Sequence, residues 1–491
     1  MGARTGQQYI DGLKDDREVW IDGDRVTDVT TDPRFSPAIR SLAELYDMQH
    51  DPDYRDVLTY SSPTTGDRVG LSFIEPTTQE DLVRRRIMVK TWMDRTCGMF
   101  GRSPDFMNVH TAAFASAADE FAKSGEQYGR NIRNYYEHAR ENDVAMTHVL
   151  INPQVDRSRP VEDQDNDVAA KVVKETDAGF IIRGARMIAT LGAISDDIMV
   201  MPNPYLQENE EAKSYAFGFN IPIATPGLKV ICRPSVAHLE AASLMDYPLS
   251  ARLDESDALI VFDDVLVPWE KTFIYRDVGM CNGLFNRTGA MEQIMHQFST
   301  KNLAKAEFMM SLAFAVANST KTDVHLNVQG QLAEMITMTE TIRALLRASE
   351  TEAHLGPAGT MMPAREPLWA VRLSFPKMFS RMIEIMQTIG AGGLVQVPSY
   401  AEFNSDAAEY VERYCQGANT NARSRVKLFR LAYDSCVSSF AGRQQLYERY
   451  YSGDPVRLAS TLYNIYDKET YMERIWTMLG TLEEDQENEV A

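Results

Sequence analysis

Residues 177–202 read DAGFIIRGARMIATLGAISDDIMVMP. The two runs FIIRGARMIAT and DIMVMP are rich in apolar and β-branched residues, and a short segment with glycine and aspartate separates them, which is typical of two β-strands. The run KVVKET comes directly before Asp177, Ala178 and Gly179. Because these three residues are frequent in tight turns, the sequence predicts a hairpin at this point.

Further strand-like runs lie on both sides of this stretch. They are short, apolar and bounded by Asp, Gly or Pro, and they read THVLINP, YAFGFNIPI, LKVICRPS and ALIVFDDVLVPWE. The pattern predicts an all-β region over residues 146–275.

The chain on either side of the β region has helical periodicity. In TQEDLVRRRIMVKTWMDRT, Val83 pairs with Ile87 and Met88 with Trp92 at a spacing of four residues. After residue 275 several long apolar-rich segments indicate a helical bundle, and the acidic end TLEEDQENEV is expected to fray. We therefore expect a mainly helical domain at 1–145, a β domain at 146–275 and a helical bundle at 276–491.

The composition excludes several classes of protein. The chain has 491 residues and a formal net charge of −20, which argues against nucleic acid as a partner. No apolar run approaches the ~20 residues that cross a bilayer, and the first residues lack the apolar core of a signal peptide. The five cysteines are scattered without a Cys-x-x-Cys, so we expect reduced thiols, no metal site and a cytoplasmic protein.

A loop at residues 101–108, GRSPDFMN, interrupts the N-terminal helices. Pro104 favours an extended conformation for Ser103 and cannot lie within a helix, so Asp105 is a candidate cap for a helix from Phe106 onward. Arg102 then lies on a loop of defined shape. Since most arginines cover surfaces or brace loops, these residues alone favour a structural role.

Two histidines are candidate catalytic groups. His148 lies in a strand-like run, on the face that it shares with Met146 and Leu150. His296 lies in a helix that is apolar on two sides, so it is expected to be buried and to need a partner. From the pattern alone, both read more readily as buried core histidines than as catalysts.

The order of helical region, β region and helical bundle resembles the acyl-CoA dehydrogenase-like flavoprotein fold, an α+β fold with a central β-barrel-like domain. The stretch at 177–202 resembles the strand of that fold with the pattern Gly-x-(Lys/Arg)-x-(hydrophobic)-x-Thr, and VFDDVLVPWEKTF resembles its F-x-D-V-x-V-P strand. A reduced isoalloxazine is anionic and nearly planar, and it needs hydrogen-bond donors along its polar edge.

Almost the whole chain resembles the 4-hydroxyphenylacetate 3-hydroxylase family, the flavin-dependent oxygenase components of two-component phenol hydroxylases. Its relatives include chlorophenol monooxygenases and tyrosyl-carrier-protein hydroxylases. The motifs that support the resemblance are TGQQYIDGLKDDREVWIDGDRVTDVTTDP, GRSPDFMN, NPQVDRS, ARMIATLGA, MHQFSTKNLAKAEF and GRQQLYERYYSGDP.

The resemblance implies roles for individual residues. At the cofactor FAD it implies His148, Val149, Leu150, Gln154, Val155, Asp156, Arg157, Thr190, Ala441, Gly442, Arg443 and Gln444. At the phenol it implies Arg102, Phe106, His148, Met201, Pro202, Asn203 and His296. It also implies a homotetramer and, since no GxGxxG follows a predicted strand, a separate NAD(P)H:flavin reductase that supplies FADH2.

The chemistry of such an enzyme explains these residue types. Reduced flavin and molecular oxygen form an electrophilic C4a-hydroperoxyflavin, which transfers one oxygen atom to the ring carbon ortho to a phenol hydroxyl. A phenol reacts best as phenolate, and its pKa is normally near 10. Arg102 would stabilise the anion, and either His148 or His296 would be the base.

One position departs from the family pattern. Phe106 stands where the family loop often has tyrosine, so this side chain offers no hydroxyl to the substrate. We therefore expect a tyrosine-derived or larger phenol, free or tethered to a carrier protein, instead of 4-hydroxyphenylacetate. A halo- or nitrophenol that loses its substituent stays an alternative.

Three other functions agree less well with the sequence. An iron–sulfur dehydratase such as 4-hydroxybutyryl-CoA dehydratase needs several cysteine ligands, which the GRSPDFMN loop and the His296 helix do not supply. No glutamate can be assigned as the base of an acyl-CoA dehydrogenase. A non-catalytic scaffold with a flavoprotein fold is the alternative from another class, and absence of flavin binding would support it.

Overall fold

The computed structural model describes residues 2–153, 155–164, 168–202 and 205–490, with side chains as far as residue 481. The predicted site residues Gln154 and Asn203 lie outside the described residues. The described part of the chain forms a helical N-terminal region, two central β-sheets and a C-terminal helical bundle, in the order that the sequence predicts.

Helices predominate before residue 145. They are α1 (Gly6–Gly12), α2 (Ser36–Met48), α3 (Arg55–Leu58), α4 (Gln79–Arg95), α5 (Pro104–Ser116), α6 (Ala118–Ala122) and α7 (Glu126–Asn142). Thr78 caps α4 in a capping box with Asp81, so the side chains of both residues bind the first backbone N–H groups.

The strands follow mainly in the middle of the chain. They are β1 (Glu18–Ile21), β2 (Asp24–Val26), β3 (Thr59–Ser61), β4 (Arg68–Gly70), β5 (Met146–Val149), β6 (Lys171–Thr176), β7 (Gly179–Thr190), β8 (Asp197–Val200), β9 (Phe217–Pro222), β10 (Leu228–Cys232), β11 (Asp257–Pro268), β12 (Thr272–Tyr275), β13 (His354–Leu355) and β14 (Met361–Met362). The predicted hairpin is confirmed, because β6 and β7 pair antiparallel with Thr176 opposite Gly179.

Two larger sheets form the centre of the molecule. One has six strands in the order β2-β1-β10-β11-β7-β6, and the other has four in the order β12-β9-β8-β5. Neither sheet closes on itself in the described part of the chain, so the expectation of a barrel is corrected to two open sheets. Side chains from both sheets, including Phe180, Phe217 and Ile260, belong to one buried hydrophobic core.

The N-terminal segment contributes to the larger sheet. Strand β1 pairs parallel with β10, with Val19 opposite Val230, and β2 pairs with β1. The short runs EVWI and DRV are too brief for a period-2 pattern to be recognised, and the partner of EVWI in β10 lies more than 200 residues away. The domain division at residues 145 and 275 therefore stays a prediction.

The C-terminal region is helical. Its helices, with the short α8 (Ser250–Leu253) before them, are α9 (Val278–Thr288), α10 (Ala290–Thr320), α11 (Leu326–Thr351), α12 (Arg365–Val395), α13 (Ala408–Tyr414), α14 (Ala422–Cys436), α15 (Ser439–Tyr450), α16 (Pro455–Ile465) and α17 (Glu469–Val490). Helix α17 continues to Val490 through the acidic end, whose fraying stays a prediction. None of the described helices is both long and apolar enough to span a bilayer.

Candidate active site

Arg102 lies between two aromatic rings. Its guanidinium carbon is 4.1 Å from the ring centroid of Phe106 and 4.0 Å from that of Tyr451, within cation–π range. Its Nη2 donates to the backbone carbonyl of Tyr451 at 3.1 Å. Among the described residues no carboxylate forms an ion pair with this guanidinium. A cation is therefore available to a ligand.

Arg102 remains charged in this position. Burial alone would lower the pKa of its guanidinium, but Tyr447, Tyr451 and Glu255 raise the pKa above the ordinary value. The backbone N–H of Arg102 donates to Glu255 Oε1 at 2.8 Å, which fixes the loop and leaves the side chain free of that carboxylate.

Two histidines adjoin the rings next to Arg102. The ring centroid of His148 lies 5.6 Å from Phe106 and 5.9 Å from His110, and the two imidazoles are nearly parallel at 22°. His110 Nδ1 is 2.9 Å from the carbonyl oxygen of Phe106, one helical turn earlier in α5. We call Arg102, Phe106, His110, His148 and Tyr451 the Arg102 cluster.

His148 has an unused ring nitrogen. Its Nδ1 is buried and has no hydrogen-bond partner among the described residues. Burial first, and then the charges of Arg102 and His110, hold the pKa of His148 well below its usual range. The imidazole is therefore neutral at pH 7, with one ring N–H and one nitrogen that can accept a proton. His148 lies in strand β5, as the sequence predicts.

Two acidic residues connect the Arg102 loop to the predicted cofactor residues. Arg443 donates to Glu255 at 2.7 Å and to both carboxylate oxygens of Asp257 at 2.7 and 3.0 Å. The Thr190 hydroxyl donates to Asp257 Oδ1 at 2.8 Å. The fold thus brings Arg102, Thr190 and Arg443 to one place, although all three guanidinium nitrogens of Arg443 already have acceptors.

Helix α15 packs against the segment before Arg102. Gln444 Nε2 donates to the Met99 carbonyl at 3.0 Å, and the Tyr451 hydroxyl donates to the Gly101 carbonyl at 2.9 Å. A Cβ atom on Gly101 would lie 2.3 Å from the Tyr447 ring, so only glycine permits this close approach. Residues of α15 therefore determine where Arg102 lies.

His296 has partners outside the Arg102 cluster. Its Nε2 is 2.9 Å from Glu350 Oε1, and its Nδ1 is 3.2 Å from Nη2 of Arg85. Burial lowers the pKa of His296 to about 4, although Glu350 partly offsets this effect. Both ring nitrogens are engaged, so this geometry does not favour His296 as the base, and its role stays a prediction.

The predicted cap of helix α5 is displaced by two residues. The N-cap is Ser103, with Pro104 in the first helical position, and Asp105 lies within the first turn. Asp105 Oδ2 instead accepts from Gln297 Nε2 at 2.6 Å, and burial raises the pKa of Asp105 to about 6. The Asp105 carboxylate thus links α5 to α10 through a hydrogen bond and does not cap the start of α5.

The remaining predicted cofactor and substrate residues lie in three places. Val155 and Arg157 are exposed on a loop that Asp156 orders through Ser158. The residues that end or follow strands are buried, namely Val149, Met201 and Pro202, with Leu150 half-buried. Ala441 is buried in the first turn of α15, while a Cβ on Gly442 would meet no atom within 4 Å.

One buried arginine near these residues has no role in the sequence-based prediction. Arg186 Nη1 donates to the carbonyl of Leu150 at 3.0 Å and also to Asn152. Its Nε and Nη2 are buried and find no partner in the part of the chain that the structure describes, and burial lowers the pKa of the guanidinium to about 10. Arg186 therefore fixes the end of the segment that the resemblance assigns to FAD.

Sequence reasoning also missed His110 and Tyr451. His110 follows Phe106 by four residues, so the two share one face of α5, and this spacing was a usable signal. Tyr451 lies within the GRQQLYERYYSGDP motif, but no local pattern indicates that its ring contacts an arginine 349 residues away.

Two family models match the chain end to end. The N-terminal model of 4-hydroxyphenylacetate 3-hydroxylase matches residues 5–274, and the C-terminal model of the same enzyme matches residues 281–480. The chain belongs to the 4-hydroxyphenylacetate 3-hydroxylase family. The recognition made from the motifs is therefore confirmed.

Curated relatives match this chain over most of its length. The 4-hydroxyphenylacetate 3-monooxygenase oxygenase component of Thermus thermophilus is 43% identical over 97% of both chains. A 4-nitrophenol 2-monooxygenase oxygenase component of Rhodococcus sp is 34% identical over 92% of this chain and 86% of its own. A Streptomyces globisporus monooxygenase that acts on a chlorinated hydroxyphenyl group on a peptidyl-carrier protein is 34% identical over 92% and 85%.

Solved structures agree with this membership. The oxygenase component HpaB of 4-hydroxyphenylacetate 3-monooxygenase, complexed with FAD and 4-hydroxyphenylacetate, superposes with a TM-score of 0.94 at 43% identity, covering 98% of this chain and 99% of that chain. An archaeal 4-hydroxybutyryl-CoA dehydratase superposes with a TM-score of 0.88 at 20% identity, covering 97% and 95%. The second similarity shows a shared fold alone.

Proposed function

We propose that this protein is the oxygenase component of a two-component, FAD-dependent monooxygenase that hydroxylates a phenol at the ring carbon ortho to its hydroxyl group. The observation that supports this most is the Arg102 guanidinium, which has no carboxylate partner and adjoins a neutral His148. A cation beside a proton acceptor favours ionisation of a phenol. Family membership supports the same reaction class.

The residues of the site fit FAD. Within the described residues, the buried Nδ1 of His148 lacks a partner, the space beside Gly442 is open, and Arg157 is exposed on its loop. We propose that the strand residues His148 to Leu150 and Thr190 hold the ring, with Arg157 near the phosphates. Bound in its reduced form, FAD supplies the activation of molecular oxygen.

The protein's own side chains prepare the phenol. We propose that the phenol hydroxyl donates a hydrogen bond to the neutral His148, and that Arg102 stabilises the oxygen anion once the proton has passed on to bulk water, since an opposite charge within about 4–6 Å lowers a pKa by about 1–3 units. The rings of Phe106 and Tyr451 orient the guanidinium and exclude water from it. An aromatic ring with an ionised oxygen is the better nucleophile toward the oxygen donor.

A single-turnover experiment tests this function. Anaerobic protein with reduced FAD is mixed with oxygenated buffer and a panel of phenols, and flavin absorbance and product mass are followed. One phenol of the panel should yield the ortho-hydroxylated product, one oxygen atom heavier. Absence of flavin binding, with release of hydrogen peroxide only, would favour the non-catalytic scaffold.

A separate reductase should be required. We expect the purified chain to oxidise NADH or NADPH at no more than the background rate of free FAD, and product should form once an NAD(P)H:flavin reductase is added. The measurement is the loss of nicotinamide absorbance with and without each component. Rapid NADH oxidation by the chain alone would contradict the two-component assignment.

Phe106 should determine part of the substrate specificity. Phe106→Tyr would add a hydroxyl next to His148 and His110, whose rings lie 5.6 and 4.4 Å away. We expect kcat/KM for 4-hydroxyphenylacetate to rise about tenfold relative to an apolar para-substituted phenol, because a polar substrate group gains a partner. Phe308→Tyr, at a half-buried position in α10, is the matched control and should leave this ratio unchanged. An unchanged ratio in Phe106→Tyr would remove Phe106 from the substrate site.

The homotetramer is part of this proposal. Several apolar side chains of α17 are exposed, including Ile475 at 57% and Trp476 at 70%, which is typical of surfaces that subunits cover. Light scattering should give four times the mass of the chain. A stable monomer at micromolar concentration would contradict it.

A further inference from the structure

A buried cluster of charges lies between α10 and α15, behind the Arg102 cluster. Lys301 Nζ is 2.6 and 2.8 Å from the two carboxylate oxygens of Glu448, and Lys305 Nζ is 2.5 Å from the same carboxylate. Lys305 also donates to Gln444 Oε1 at 2.8 Å. Both lysines are fully buried. We call Lys301, Lys305 and Glu448 the lysine cluster.

The lysine cluster has two cations for one anion. Burial lowers the pKa of Lys301 to about 7, and the charges of Lys305 and Arg102 act in the same direction against Glu448. Burial would raise the pKa of Glu448, but the two ammonium groups hold it at about 2. Below about pH 7, where Lys301 is protonated, the lysine cluster therefore carries a net positive charge inside the protein.

One aromatic ring separates this charge from Arg102. Lys301 Nζ lies 4.2 Å from the ring centroid of Tyr451, and the guanidinium carbon of Arg102 lies 4.0 Å from the same centroid. The groups that face Lys301 are Glu448 from α15, Tyr451 directly after that helix, Lys305 from its own helix, and the ring of Phe375 from α12. No described side chain places a second carboxylate in ion-pair contact with the ammonium.

We propose that Lys301 is a positioning residue of the phenol site, whose buried ammonium, acting across the Tyr451 ring, makes a phenol bound at Arg102 ionise more readily. The proposal rests on the proposed function, because it needs a phenol at the Arg102 cluster. Lys301 does not touch the phenol. It adds positive potential in an environment of low dielectric constant, where water screens charges weakly.

The test uses 4-nitrophenol, whose anion absorbs visible light, with the full-length protein and no flavin. The apparent pKa of the bound probe is read from its absorbance as the pH is varied. We expect wild-type protein to bind the probe with a pKa below that of the free probe. In Lys301→Met this pKa should rise by about half a unit, less than the ~1–3 units for a charge within about 4–6 Å, because Lys301 acts across the Tyr451 ring.

Lys301→Met is a favourable substitution for this purpose, because it leaves Lys305 and Glu448 as a balanced ion pair. Lys305→Met is the matched control, because it also removes one lysine charge from the cluster. Lys305 Nζ lies 5.1 Å from the Phe379 ring centroid instead of next to Tyr451. The pKa of the bound probe should therefore change by less than half as much as in Lys301→Met. Lys301→Arg keeps the charge and should keep the wild-type value. Lys301→Gln replaces the methionine variant if the latter does not fold.

The outcomes separate the two proposals. If wild type binds the probe with a lowered pKa and the neutral variants at Lys301 leave that pKa unchanged, the role of Lys301 is overturned and the phenol site stands. If wild type does not bind the probe, or binds it with the pKa of the free probe, the phenol site fails and the inference fails with it.

Discussion

Arg102→Lys should lower the single-turnover rate of phenol hydroxylation by about a hundredfold, because the lysine keeps the positive charge but cannot hold it where the guanidinium lies. The planar guanidinium lies between Phe106 and Tyr451 at 4.1 and 4.0 Å from their centroids, a geometry that a lysine ammonium cannot reproduce. Loss of the Nη2 hydrogen bond to the Tyr451 carbonyl should also let the side chain move.

The measurement is the rate of product formation after mixing with oxygen, together with the affinity for reduced FAD. Affinity for the flavin should stay within a few-fold of wild type, because Arg102 is assigned to the phenol. Arg95→Lys is the matched control, since Arg95 is half-exposed and pairs with Glu44 at the surface. Product formation by Arg102→Lys at the wild-type rate would exclude Arg102 from the mechanism.

Glu448→Gln should lower the free energy of unfolding by about 3–5 kcal/mol, the usual cost of removing one partner from a buried ion pair. The substitution leaves Lys301 and Lys305 without an anion, and both are fully buried. The same helix positions Gly101 and Arg102, so hydroxylation should be impaired as well. Urea denaturation of wild type and variant measures the difference.

The pH dependence gives a second test of Glu448. Its folded-state pKa is about 2, below the ordinary 4.5, so its carboxylate stabilises the fold fully above about pH 4.5 and loses this effect as the pH falls toward 2. The stability difference between wild type and Glu448→Gln should therefore shrink over that range. Glu412→Gln, in an exposed pair with Arg423, should cost no more than about 1 kcal/mol. Equal stability of wild type and Glu448→Gln would show that the lysine cluster is not paired as described.

The sequence predicts those parts of the fold that repeat at short range. The apolar runs of residues 146–275 correspond to strands, and Asp177 and Ala178 join β6 to β7 as expected. The long helices after residue 290 follow their periodicity. The pairing of β1 with β10 could not be predicted, because two short strands far apart in the chain contain no information about each other.

The candidate site, like the fold, could be predicted only in part from the sequence. Arg102 and His148 were assigned to the site by the family resemblance, since the local patterns alone favoured structural roles for both. His110, Tyr451 and the lysine cluster were missed because their significance depends on contacts between α5, α10 and α15. The hydrogen bonds of His296 to Arg85 and Glu350 were equally invisible in its helix, where only burial could be inferred.

The central claim is that this chain transfers one atom of molecular oxygen to a phenol held at the Arg102 cluster. A single turnover with reduced FAD under isotopically heavy oxygen gas, with product analysed by mass spectrometry, tests it most directly. The account predicts one heavy oxygen atom per product molecule from wild type, next to the original hydroxyl, and almost none from Arg102→Lys in the same time. Product without heavy oxygen, or heavy hydrogen peroxide as the sole product with every phenol, would contradict it.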